Sequence, residues 1–148
     1  GSGLVGSEMC IRDSRMNEDW TNKGGWLACD MRRYLNEEVI ALLPDELVAA
    51  IKPRKFGKEE DKLWLFSEME VFGDHDWTEN DPDRGFQFEY FKDRRNRIKV
   101  DEDGDAYWWW ERSPNGSNSS NFCNVYSNGG ASSSYASSTN GVCFGFYI

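Results

Sequence analysis

The sequence has one histidine, His75, in 148 residues, and its four cysteines, Cys10, Cys29, Cys123 and Cys143, include no C-x-x-C pair. The side chains that usually enclose a structural zinc are nearly absent, and neither a metal nor any other cofactor is expected. No apolar run approaches the roughly 18 to 20 residues that a bilayer-spanning helix needs, so membrane insertion is not expected. Basic residues are in the minority, with 17 Lys and Arg against 26 Asp and Glu and a formal charge of -9. That balance opposes binding to a phosphate backbone, and nucleic acid is not an expected partner. The N-terminus lacks the basic, apolar and small-residue order of a signal peptide, so no oxidising compartment is implied and the thiols are expected to be reduced. The length suits one globular domain whose core needs no staple.

Residues 1–15 are set apart from that domain. Gly1-Ser2-Gly3 has the form of a cloning scar, and Glu8-Met9-Cys10-Ile11-Arg12-Asp13-Ser14 looks like translated adapter read-through from assembled metagenomic sequence. On this reading Cys10 is foreign, the native N-terminus lies outside the chain, and the segment is a tag or a disordered arm without function. The domain proper is then 16–148.

Charge is missing from the last quarter altogether: every charged residue lies at or before Arg112, and the 36 residues 113–148 carry none. Within 115–141, 19 of 27 residues are Ser, Asn or Gly, a density familiar from flexible linkers. Against disorder, the tract contains Phe122, Val125, Tyr126 and Tyr135. It closes on Val142-Cys143-Phe144-Gly145-Phe146-Tyr147-Ile148, a strand-like run of aromatic and β-branched residues. Exposing so much apolar surface in a free tail costs solubility, and the tract is expected to be folded.

Upstream, Asp30 is expected to cap a helix over 31–35, with 37–43 continuing through an apolar stripe of Val39, Ile40, Leu42 and Leu43. Pro44 suits the first turn of a second helix, with Asp45 and Glu46 at its positive end and Leu47, Val48 and Ile51 facing inward. Residues 62–66 have strand composition, and 67–72 form a short helix or a continuing strand that Gly73 ends. The segment 74–84 reads as an acidic surface loop and 86–92 as an aromatic helix or turn. The turn 101–105 leads into Tyr107-Trp108-Trp109-Trp110, a strand that sends Trp109 to the face opposite its two neighbours. Three consecutive tryptophans imply that both faces are covered.

Trp108-Trp109-Trp110-Glu111-Arg112-Ser113-Pro114, then Asn121-Phe122-Cys123-Asn124-Val125, then Gly141-Val142-Cys143-Phe144-Gly145-Phe146 resemble the C-terminal signature of C-type-lectin-like domains of the formylglycine-generating-enzyme type. With Met31-Arg32-Arg33-Tyr34-Leu35-Asn36 and Leu42-Leu43-Pro44-Asp45-Glu46-Leu47, the chain is similar over roughly 24–148 to the variable proteins of diversity-generating retroelements in gut phages and bacteria. The resemblance implies an α+β, C-type-lectin-like fold with two main N-terminal helices and a small, twisted, mostly antiparallel sheet. It also implies a displayed variable region over about 107–148, in which a reverse transcriptase miscopies template adenines and scatters Asn, Ser, Tyr, Gly and Thr over a constant frame. The substitutable sites on that reading are Asn115, Ser117, Ser119, Tyr126, Ser132, Ser133, Ser134, Tyr135 and Ser138. The frame is Trp108, Trp109, Trp110, Arg112, Phe122, Val125, Gly141, Val142, Phe144 and Phe146.

Residue chemistry points the same way. Tyr, Ser, Gly and Asn are favoured in antibody combining loops, where Tyr supplies rigid amphipathic contact and the small residues adaptable hydrogen bonds. Tyr126 and Tyr135 are the expected anchors of a surface that binds a protein or glycan target, on a phage virion or a bacterial cell surface. The rival reading is a structural virion or cell-surface component whose tract packs on a neighbouring subunit. A third is a formylglycine-generating-enzyme-like oxidase using Cys123 and Cys143, disfavoured because both lie in apolar strand contexts with no base nearby in sequence; the protein is not expected to be an enzyme. Asp101, Asp103 and Asp105 open like an EF-hand loop, but Ala106 and Arg112 stand where that loop needs Gly and Glu. The acidic loop with Asp74, His75, Asp76, Glu79, Asp81 and Asp83 reads as a solvated turn. Arg112 reads equally as an edge-strand charge or as a buried tie to a carboxylate or loop carbonyls.

Overall fold

The computed structural model describes residues 10–74, 77–78, 81 and 83–148. His75, Asp76 and Glu79 lie outside the described residues, and the acidic-loop reading with them. The chain opens with strand β1 (Cys10–Ser14) and helices α1 (Gly25–Ala28) and α2 (Asp30–Arg33). Helix α2 widens into a π-helical stretch, Tyr34–Val39, and tightens into a 3₁₀ turn, Ile40–Leu42. Helix α3 (Asp45–Ala50) follows, then the hairpin β2 (Arg54–Phe56) and β3 (Glu59–Asp61), strand β4 (Trp64–Leu65) and helix α4 (Glu68–Phe72). Two 3₁₀ turns, Glu89–Lys92 and Arg94–Arg97, precede the small hairpin β5 (Lys99–Val100) and β6 (Ala106–Tyr107). Strands β7 (Trp109–Pro114), β8 (Asn121–Val125), β9 (Ala131–Tyr135) and β10 (Asn140–Gly145) complete an α+β molecule.

Local chemistry accounts for the helix ends. Ser67 and Glu70 close a reciprocal capping box on α4, which decides for a helix at 67–72, and Gly73 ends it in the left-handed conformation. Asp30 sits inside the first turn of α2, with Cys29 at the cap, because its carboxylate accepts from the Glu18 amide at 2.8 Å instead of from its own helix. Pro44 stands at the cap of α3 and not within its first turn, with Asp45 and Glu46 just after it. Ile51 is buried and Leu47 and Val48 half-buried. Leu42 departs from the expected apolar stripe and is exposed. That stripe assumes 3.6 residues per turn throughout, whereas this helix loosens and then tightens, and its phase drifts before Leu42.

The main sheet runs in the order β1-β10-β7-β8-β9, with β4 also pairing with β10. All its pairings are antiparallel except β10 with β7, where Gly141 lies opposite Trp109. A Cβ on Gly141 would stand 2.3 Å from the Tyr107 ring of β6, so only glycine lets β10 pass that ring where it pairs with β7. Along its other edge β10 meets β4 at Phe144 and Gly145 and β1 at Asn140, Val142 and Cys143. Residues 10–14 are therefore a sheet strand and not a disordered arm. The same register puts Cys10 opposite Cys143, and the two form a disulfide, which corrects the expectation of reduced thiols; Cys29 and Cys123 are free and buried.

Both faces of the sheet are covered, as the tryptophan run implies. Trp109 and Trp110 are fully buried, and their indole N–H groups leave in different directions, to the Arg97 carbonyl and to the Ser14 carbonyl, each at 2.9 Å. Trp108 is half-buried against Tyr126, with ring centroids 4.5 Å apart. Phe122, Val125, Val142, Phe144 and Phe146 join Trp64, Phe66 and Phe91 in one core. The uncharged tract is thus folded, with its apolar residues inward and its small polar ones on the outermost strand.

Candidate binding surface

The turn between β7 and β8 is held from outside. The side-chain amide of Asn22 donates to the carbonyls of Asn115, Asn118 and Asn121 at 2.8–3.0 Å, and its backbone N–H donates to Ser119 O at 2.8 Å. After β9, the Ala136 carbonyl accepts from both Met16 and Asn17 at 3.0 Å, and the Ala136 N–H returns to Ser120 O. Segment 16–22 thereby clamps both ends of the polar tract. Sequence reading passed over Asn22, because a lone Asn in a polar stretch carries no signal until its three acceptors are brought together in space.

On that frame, β9 is the edge strand, with no neighbour on its outer side among the described residues. Tyr135 is 52% exposed, and beside it Trp20, 67% exposed, meets its ring edge-on at 5.8 Å. Ser117 and Ser119 are exposed in the clamped turn; Ser132, Ser133, Ser134 and Ser138 are half-buried. Tyr126, 39% exposed, lies past the other end of β8, because Tyr135 pairs with Asn121 while the Tyr126 N–H donates to Gly130 O at 2.8 Å. At about 3.4 Å per residue the two tyrosines are roughly 17 Å apart along the hairpin, so they are separate anchors. Asn115 is not a surface site. It is buried, its amide donating to the Ser133 hydroxyl at 3.3 Å and its carbonyl oxygen accepting from the Ser117 N–H at 2.8 Å. Trp20 is an exposed aromatic that the sequence did not mark.

Beneath this surface β7 carries three consecutive polar residues that are nearly or wholly buried, Glu111, Arg112 and Ser113, where its register with β8 shifts between Trp110 and Pro114. Arg112 is a buried tie, which settles its two readings. One guanidinium nitrogen donates to the Glu70 carboxylate and to Leu65 O at 2.8 Å, the other to Asp83 O, and the group lies 4.8 Å over the Phe56 ring. Arg54 pairs with the other Glu70 oxygen. Burial pushes the Glu70 carboxyl up, but the two guanidiniums outweigh it and hold it below its ordinary value. The Ser113 hydroxyl accepts from the Glu68 N–H at 3.0 Å. Neither Glu111 oxygen has a hydrogen-bond partner among the described residues, and burial, reinforced by the Glu68 charge, pushes its carboxyl well up.

A cleft of about 490 Å³ opens beside Ser117, with Trp26, Phe56, Trp77 and Arg112 among its walls. Cys143 is bonded to Cys10 and not placed with Cys123, whose thiol burial pushes far above its ordinary value. The arrangement is that of an α+β domain whose rigid core presents an uncharged, aromatic-flanked strand edge. The chain belongs to the family described as Domain of unknown function (DUF6273), whose model matches residues 1–148. No curated protein and no solved structure matches it.

Proposed function

We propose that the domain is a ligand-recognition module with a C-type-lectin-like fold, of the kind that retroelements diversify, and that it binds a protein or glycan target through the β8–β9 hairpin and its flanking turns. The observation that carries this reading is the folded, uncharged edge itself: Tyr135 and Trp20 at one end and Tyr126 at the other, with small hydroxyl side chains between them, over fully buried tryptophans. Aromatic anchors lose few rotamers on binding, and serines adapt their hydrogen bonds to many partners. A frame clamped by backbone and Asn22 hydrogen bonds tolerates substitution on its outer side.

Sequencing the locus tests the diversification. Support is a near-identical repeat beside a reverse transcriptase gene, differing from this gene at adenines in codons of 115–138; a locus without one rejects it. A second reading, a subunit that assembles through this edge, draws on the side of β9 that has no strand partner among the described residues, which is a template for strand addition. Replacing Tyr126 and Tyr135 together with Ala separates the two. A chain that sediments as before but loses target capture supports recognition, and one that loses only its oligomeric state supports assembly.

A further inference from the structure

Under the sheet, three groups with metal-binding chemistry converge: Glu68 from α4, Glu111 from β7 and Cys123 from β8. One ligand atom from each lies within 4.8 Å of the others, and all three residues are buried. Buried carboxylates are normally matched, as Glu70 is by Arg54 and Arg112. Glu111 is the exception. It is 0% exposed, and neither of its oxygens has a hydrogen-bond partner among the described residues, although one of them faces the ligand atoms of Glu68 and Cys123.

We propose that Glu68, Glu111 and Cys123 bind a divalent transition-metal ion of the zinc class, a centre independent of whatever the surface recognises. The donor set selects the ion, because a thiolate is a soft ligand that disfavours calcium and magnesium, while thiolate with carboxylates suits zinc and its neighbours. At metal–ligand distances of about 2.0–2.3 Å, tetrahedral ligand atoms lie about 3.3–3.8 Å apart, so the cluster closes on an ion by moving no more than about 1.5 Å. A divalent ion places positive charge beside Glu111, neither of whose oxygens has a hydrogen-bond partner among the described residues, as Arg54 and Arg112 do for Glu70. Binding forms two metal–oxygen bonds and one metal–sulfur bond; the thiol proton, and any carboxyl proton, is released to solvent, and a separate water molecule fills the fourth position. The bulge in β7 that aims Arg112 at Glu70 aims Glu111 at this point too.

The test uses the full chain produced in cobalt-supplemented medium and read by native mass spectrometry and absorption. One cobalt per chain is expected, with a thiolate-to-cobalt charge-transfer band that survives Cys29→Ser and disappears in Cys123→Ser. Glu111→Leu keeps an uncharged side chain in the buried position, so the chain remains able to fold; it is expected to lose at least about a hundredfold in metal affinity. A folded wild-type chain without bound metal, even when cobalt or zinc is supplied in excess, overturns the proposal, as does an unchanged metal affinity in Glu111→Leu or a band that persists in Cys123→Ser.

Discussion

Arg112 is 2% exposed, and its donors are spent on Glu70 and on the carbonyls of Leu65 and Asp83, joining β7 to α4, to β4 before it and to the chain after it. Arg112→Ala leaves Glu70 buried with Arg54 alone. Breaking a buried pair on one side is expected to lower unfolding free energy by about 3–5 kcal/mol, measured by urea denaturation. Acid should act through the same pair. Glu70 has a folded pKa below its ordinary 4.5, so its contribution is complete above that value and disappears as pH falls through the lower, folded one. Glu70→Gln, although less stable at neutral pH, should therefore lose less further stability between neutral and strongly acid pH. An acid limb as steep as that of the wild type would refute this role for the pair.

At the scale of elements, the polar tract keeps its shape through few contacts, each placed where the backbone would otherwise be loose. Asn22→Ala removes three hydrogen bonds to the β7–β8 turn and is expected to cost about 1–3 kcal/mol, with faster hydrogen exchange confined largely to amides of 115–121. Gly141→Ala drives a methyl into the Tyr107 ring at the parallel pairing of β10 and β7. Thermal unfolding should show a loss of about 1–3 kcal/mol, from strain of the kind that overpacking produces. These elements were partly legible. The aromatic runs announced β7 and β10, whereas 67–72 stayed open between helix and strand until the Ser67–Glu70 capping box decided α4. The shift from π to 3₁₀ winding near Leu42 was not legible, because hydrophobic periodicity presumes one pitch for the whole helix.

For the whole molecule, the sharpest departure from expectation is residues 10–14, which extend the sheet and bind Cys10 to Cys143. Strand β10 retains β4 and β7 without them, and the fully buried residues begin at Met16. A chain of 16–148 should still unfold cooperatively, having lost about 5 kcal/mol of loop-closure stabilisation together with the β1–β10 pairing and the Trp110–Ser14 hydrogen bond, a combined difference calorimetry measures directly. An uncooperative transition would make β1 indispensable. The sequence by itself determined that a charge-free last quarter would be folded, since its strand-forming residues have no stable exposed state, and that tryptophan strands would back it. The tertiary structure alone decided that Asn115 lies inside, that Tyr126 and Tyr135 stand at opposite ends of one hairpin, and that Glu68, Glu111 and Cys123 meet. Those facts depend on strand register and on contacts between residues as many as 55 positions apart, which no local pattern of residue types encodes.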